Sequence, residues 1–134
     1  MLMILIINNM VRQSRQTLQK KLLSQELASC SSFFTADEIF SKVKKKDDKI
    51  GIATVYRFLK EMKKNEQIHS YLCDRRVIYS THPKNHCHFT CERCGKTSHI
   101  TLDNIDFMKK KIEGNICHFQ IDICGICTVC SNKK

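Results

Sequence analysis

Residues 50–64 read IGIATVYRFLKEMKK, and the apolar spacing in this stretch decides the first half of the fold. Val55, Phe58, Leu59 and Met62 recur at i, i+3, i+4 and i+7, which predicts a helix with that stripe turned to a core. Tyr56, Arg57, Lys60 and Lys63 then face outward, with Thr54 near the helix start. A helix that enters a DNA major groove needs such a face: small residues at its amino end, Arg for base edges, Lys for phosphates. A plain amphipathic surface helix shows the same period, so the stretch alone leaves that alternative open.

The flanking sequence supplies a frame for it. From Arg12 the pattern is helical, with Leu18, Leu22, Leu23 and Leu27 on one side and Arg12, Arg15 and Lys20 elsewhere. Met1 to Asn9 shows no usable period, and Met10 offers a second candidate start. Thr35, Ala36, Asp37 and Glu38 form a capping box that opens a helix with Ile39, Phe40 and Val43 inward. Lys44, Lys45 and Lys46 suit its carbonyl end, and residues 47–49 read as a connector. Downstream, Ile68–Leu72 and Val77–Ser80 read as two strands around Asp74, Arg75 and Arg76. Three helices and a basic hairpin make a winged helix-turn-helix, in which wing arginines near phosphate supply affinity and register.

Charge and cysteine divide the chain. It has 134 residues, 42% apolar and 27% charged, with 23 Lys and Arg against 13 Asp and Glu, a formal +10. Residues 1–82 carry 15 basic and 8 acidic side chains, whereas seven of the nine Cys follow residue 82. The basic excess makes a polyanion partner a fair expectation, although a solvated surface has the same composition. A membrane span needs about 20 apolar residues, far more than the Leu2–Ile7 run. No basic residue precedes that run and no small-residue cleavage site follows it, so a cytoplasmic protein with no membrane role and reduced thiols is expected.

In that compartment clustered Cys beside His points to metal. Cys91 and Cys94, followed by Gly95, and Cys127 and Cys130 are two C-x-x-C pairs. Together they offer a closed four-thiolate tetrahedron suited to structural Zn²⁺ at about 2.3 Å per sulfur. A disulfide or redox pair is the alternative. The intervening residues 95–126 are expected to fold as a strand over Lys96–Thr101, a helix over Asp103–Ile112 capped by Asp103, and a strand over Ile116–Ile123.

The histidines make a second constellation. His86 and His88 alternate with Cys87 and Phe89, so a strand places both imidazoles on one face. His99 and His69 are candidates to complete a nitrogen-rich site, and His82 lies between the halves. Such ligation suits Zn²⁺ and is compatible with Fe²⁺ or other late first-row ions.

Four blocks, residues 35–39 (TADEI), 50–57 (IGIATVYR), 86–96 (HCHFTCERCGK) and 125–130 (GICTVC), together resemble the ferric uptake regulator family of bacterial metal-sensing repressors. The resemblance runs from about Arg12 to Cys130. It implies an α+β homodimer: a winged-helix DNA-binding domain, taken here as residues 1–81, and a small α/β dimerisation domain, residues 82–134, with structural zinc on Cys91, Cys94, Cys127 and Cys130. It also implies a regulatory metal at the hinge. Iron and peroxide sensors of the family place a His where this chain has Phe33, and peroxide sensors an Asp where it has Ser80. Zinc uptake regulators take a ligand from the first wing strand, here His69, with His82, His86, His88 and His99 at the remaining places. Cys87 and His118 correspond to a third site found in some members.

The expected function is therefore a metal-responsive repressor of metal-uptake genes on double-stranded operator DNA, probing major grooves with Thr54, Tyr56, Arg57 and Lys60 and the backbone with Arg75 and Arg76. Zinc leads as the sensed ion, with Fe²⁺ or Mn²⁺ as alternatives, and no other small-molecule substrate is expected. An iron or peroxide sensor of the same fold, or a zinc-stabilised nucleic-acid-binding protein that senses nothing, are the rivals. An enzyme is not expected. A zinc deaminase needs His-x-Glu and Pro-Cys-x-x-Cys, whereas the His cluster here lacks Glu and no Pro precedes Cys91.

Overall fold

A computed structural model describes residues 2–102 and 104–133, with side-chain surroundings from residue 14 onward. The chain divides into two compact units, Met1–His82 and Pro83–Lys134, so His82 closes the first unit rather than opening the second.

The first unit begins with α1, Leu2–Ala28, which starts well before Arg12, where helical periodicity becomes readable. Leu23 and Leu27 are buried as the spacing predicts, but Leu18 is exposed, and Gln19 takes the buried place one turn before Leu23. Its amide donates to Asp47 Oδ2 at 3.1 Å, so the buried polar group is satisfied. The pairs Lys20–Glu61 and Lys46–Glu26 also tie α1 to its neighbours, at 2.8 and 2.7 Å. Side chains 1–13, Arg12 among them, lie outside the described residues.

The second helix, α2, spans Ala36–Lys44 and opens on the expected box: Thr35 Oγ1 accepts from Glu38 N–H at 3.2 Å, and Thr35 N–H donates to Glu38 Oε2 at 2.7 Å. Ile39 and Val43 are buried, while Phe40, only partly buried, packs against the core with the Lys44 ammonium 5.0 Å from its ring. The third helix, α3, spans Ile52–Lys64. Val55, Phe58 and Leu59 are buried and Met62 packs beside them, with Tyr56, Arg57, Lys60 and Lys63 outward as the period requires. Phe34, Ile50 and Ile68 complete this core. Each fully buried aliphatic or aromatic side chain contributes roughly 1.5–3 kcal/mol.

The wing is an antiparallel hairpin of β1, His69–Cys73, and β2, Arg76–Ser80. Its turn is tighter than the sequence suggests, because Arg76 already pairs with Cys73 and only Asp74 and Arg75 connect the strands. Phe34 adds a bridge to Tyr79 through two backbone hydrogen bonds, 3.0 and 2.8 Å, and fastens the wing to the helices. Three helices and this hairpin form a winged helix-turn-helix.

The second unit is a three-stranded sheet in the order β4-β3-β5, with β3 at His86–Cys91, β4 at Thr97–Ile100 and β5 at Gln120–Gly125. β4 is antiparallel to β3 and β5 is parallel to it. The helix expected over Asp103–Ile112 is a single turn, α4, Asp106–Lys109. Asn104 Oδ1 accepts the Asp106 N–H at 2.7 Å, and the cap expected at Asp103 lies outside the described residues. The strand expected over Ile116–Ile123 begins at Gln120, where pairing with His86 begins. A last turn, α5, spans Thr128–Ser131. A Cβ at Gly125 would meet Phe89 Cε2 at 3.2 Å, so glycine lets that ring lie over β5.

The two units are stabilised differently. In the second, the buried side chains among the described residues are Cys87, Cys91, Cys130, His86 and His88, with no large aliphatic residue among them. A small domain with so little apolar core needs a metal or a partner to stay folded.

Candidate metal centres and nucleic-acid interface

The first cluster forms where β3 runs out into the turn at Cys94 and β5 runs into α5. The sulfurs of Cys91, Cys94, Cys127 and Cys130 all lie within 4.8 Å of one another, and Cys94 and Cys127 are 4.0 Å apart. A tetrahedron with metal–sulfur bonds near 2.3 Å has edges of about 3.8 Å, so the cage has the size of a zinc site. Gly95 at φ +73° turns the first knuckle, and its N–H returns to Cys91 O at 2.8 Å. Arg93 donates to Cys130 O at 2.8 Å and links the knuckles.

Backbone amides prepare the sulfurs for charge. Cys91 Sγ accepts from Cys127 N–H at 3.3 Å and Cys94 N–H at 3.5 Å, and these donors pull its thiol down to about 6. At the other extreme Cys130 is pushed up to about 12, first by its hydrogen bond with the Cys127 side chain and then by burial. One sulfur ionises readily and another holds its proton while anions crowd it. A divalent cation at the centre removes that conflict, and the donor set is therefore compatible with zinc.

The second cluster lies across the sheet. His88 stands opposite His99 on β4 and opposite Asp122 on β5, and His86 lies two residues away on the same face. One ring nitrogen from each of His86, His88 and His99 lies within 4.8 Å of the others. Burial, followed by the neighbouring His88 and His99 rings, lowers the pKa of His86 and so favours the neutral form, the one that binds metal. Asp122 Oδ1 is 2.9 Å from His88 Nδ1. A carboxylate there favours the tautomer with the proton on Nδ1, which makes Nε2 the ligating nitrogen.

Asp122 was not among the expected site residues. Its signal is a lone acid within the apolar alternation Ile121, Ile123, which becomes informative only once register sets it beside His88. Of the five expected regulatory histidines, His86, His88 and His99 are gathered in the second unit. His69 starts β1 and His82 ends the first unit, its N–H donating to Ser80 Oγ at 3.2 Å. Cys87 is buried on the opposite face of β3 from the two histidines, and His118 Nδ1 is 3.3 Å from Cys117 Sγ.

In the first unit Tyr56, Arg57 and Lys60 form the exposed outer face of α3. Arg57 Nη2 donates to Thr54 Oγ1 at 3.2 Å, which holds the guanidinium along the helix. Arg75 and Arg76 are exposed at the wing tip.

A winged helix joined to an α/β unit bearing cysteine and histidine clusters defines a metal-binding transcriptional regulator. The sequence pattern described as the Ferric uptake regulator family matches residues 11–123, and the chain belongs to that family. It is a DNA-binding regulator, not an enzyme. A similar curated relative, the peroxide-responsive repressor PerR of Staphylococcus epidermidis, is 29% identical over 126 residues, 89% of this chain and 83% of the relative. The ferric uptake regulator Fur of Helicobacter pylori, whose structure is described as revealing three functional metal binding sites, superposes with a TM-score of 0.56 at 20% identity. That match covers 96% of this chain and 93% of the other. The ferric uptake regulator of Pseudomonas aeruginosa with manganese gives a TM-score of 0.58 at 16% identity, covering 82% and 87%. At these identities the structural likeness is one of fold. Among the described residues no helix is long and apolar enough to cross a membrane.

Proposed function

We propose that this chain is a cytoplasmic, zinc-sensing repressor that binds double-stranded operator DNA as a homodimer and controls metal-uptake genes. Cys91, Cys94, Cys127 and Cys130 hold a structural Zn²⁺. The sensed ion is held by His86, His88 and His99, with Asp122 behind His88. The observation that carries the proposal is the convergence of three imidazole nitrogens within 4.8 Å on one sheet face. Imidazole donors suit Zn²⁺, whereas Mn²⁺ favours oxygen. Exposed apolar side chains on the second unit, Phe107 at 63% and Val129 at 64% among them, support a partner subunit there.

The DNA contacts proposed are Tyr56, Arg57 and Lys60, with Thr54 orienting Arg57, and Arg75 and Arg76 on the wing. Metal acts by linkage. Moving a two-state equilibrium from 1:99 to 99:1 requires about 5.5 kcal/mol of differential affinity, roughly 10⁴-fold. The test is operator affinity of the four-cysteine-zinc dimer titrated with Zn²⁺, Fe²⁺ and Mn²⁺ in buffered free-metal series. Zinc should restore binding at the lowest free concentration, and equal affinity with and without any ion contradicts sensing.

A second reading, peroxide sensing, is favoured by the name of the staphylococcal relative. Brief peroxide treatment of iron-loaded protein separates the two. Zinc sensing requires that operator affinity, once zinc is restored, be unchanged by the treatment.

A further inference from the structure

The four sulfurs of the cysteine cage are not equally accessible. Cys91 and Cys130 are buried, Cys127 is half-buried and Cys94 is exposed. The two more accessible sulfurs, one from each knuckle, are also the pair 4.0 Å apart. A disulfide bond is about 2.05 Å long, so they stand about 2 Å short of one. The surroundings of the exposed sulfur are basic. Arg93 and Lys96 lie within two residues of Cys94 and are exposed, against a single carboxylate at Glu92.

A sulfur bound to a metal is a thiolate, and the thiolate is the nucleophile in thiol–disulfide exchange. Burial shields Cys91 and Cys130 from a reagent in solution, whereas Cys94 is open to one. We propose that Cys94 is a covalent modification site for anionic low-molecular-weight disulfides, with Cys127 as the resolving thiol. Cys94 Sγ attacks one sulfur of the small disulfide, whose S–S bond breaks, and one small thiolate leaves. Cys127 Sγ then attacks Cys94 Sγ, and the second small thiolate leaves. The two protein sulfurs together lose two electrons, and the small disulfide gains them. Only Cys91 and Cys130 then remain as donors, too few to hold the structural ion, and the unit loses the folding free energy that the ion supplied. This rests on zinc being held by the four cysteines.

The test uses dimeric protein carrying only the four-cysteine zinc. It is incubated with oxidised glutathione, an anionic disulfide, or with uncharged hydroxyethyl disulfide. A chromophoric chelator follows zinc release, while differential alkylation and mass spectrometry map the modified cysteines. One zinc should be lost for each Cys94–Cys127 disulfide formed, after an early glutathione adduct on Cys94, and reductant with added zinc should restore the centre. Lys96→Glu, a change outside the cage, should slow the reaction with oxidised glutathione severalfold and leave that with hydroxyethyl disulfide unchanged. Zinc retained while Cys117 or Cys124 takes up glutathione would overturn the proposal. So would a first disulfide that contains Cys91 or Cys130, or a Lys96→Glu variant that reacts with oxidised glutathione as fast as wild type. Protein whose four cysteines hold no zinc at the outset overturns the structural-zinc reading first, and the proposal with it.

Discussion

Asp122 and His88 face each other across the parallel β5–β3 pair, with carboxylate oxygen and imidazole Nδ1 2.9 Å apart. The contact joins a mostly exposed acid to a buried ring, so its value lies in orienting the imidazole rather than in the ion pair itself. Asp122→Asn should weaken the second ion's binding about 10–100-fold while leaving the four-cysteine ion in place. Competition titration against a chromophoric chelator measures both. Unchanged affinity would remove Asp122 from the site.

Cys91→Ser should cost the second unit its fold. Cys91 is fully buried, accepts two amide hydrogen bonds and belongs to the four-sulfur cage. Structural zinc binding is folding free energy in a small domain whose fully buried side chains, among the described residues, are cysteines and histidines. Metal content, hydrogen exchange and sedimentation should show loss of zinc, protection and dimer together. A variant that lost zinc yet kept protected β3 amides would contradict this.

Acid should act in two windows. Burial holds His86 below its ordinary pKa, so the unfolded chain protonates first as pH falls. This group's contribution is intact above about pH 6.5 and lost as pH falls through its folded value. Asp47 has the same sign lower down. The Gln19 hydrogen bond, followed by the Lys49 N–H, depresses its carboxyl. Its contribution is present above about pH 3.9 and lost on acidification below that. Melting curves from pH 8 to 3 should lose the upper step in His86→Gln and the lower step in Gln19→Leu.

Substitutions in the first unit should rank by mechanism. Leu59→Ala removes a fully buried side chain and should cost about 2–5 kcal/mol. Thr35→Ala breaks one arm of the capping box and should cost about 1 kcal/mol. Denaturant midpoints at constant m-value test the order, and a capping loss equal to the core loss would contradict it.

The third helix was legible because four apolar residues on one face leave no other register, and the capping box because its partners lie three residues apart. The first helix was only half legible. Gln19 takes a core position through a bond to Asp47, 28 residues away, and local periodicity cannot foresee such a partner. The same holds for β5, whose bounds follow its partner strand from His86↔Gln120 to Cys91↔Gly125. The cysteine knuckles were visible from spacing. His99 was a candidate from sequence, but its place opposite His88, like that of Asp122, depends on sheet register.

The central claim is that an ion on the histidine face governs how tightly the helix carrying Tyr56 and Arg57 grips DNA. Its most direct test is operator affinity of dimeric protein stripped of all but the four-cysteine zinc, measured before and after Zn²⁺ is returned. The account expects weak, salt-sensitive binding before and a gain of orders of magnitude after, abolished in a His86→Ala, His88→Ala double variant. Equal affinity in both states, or an undiminished zinc response in the double variant, would contradict it.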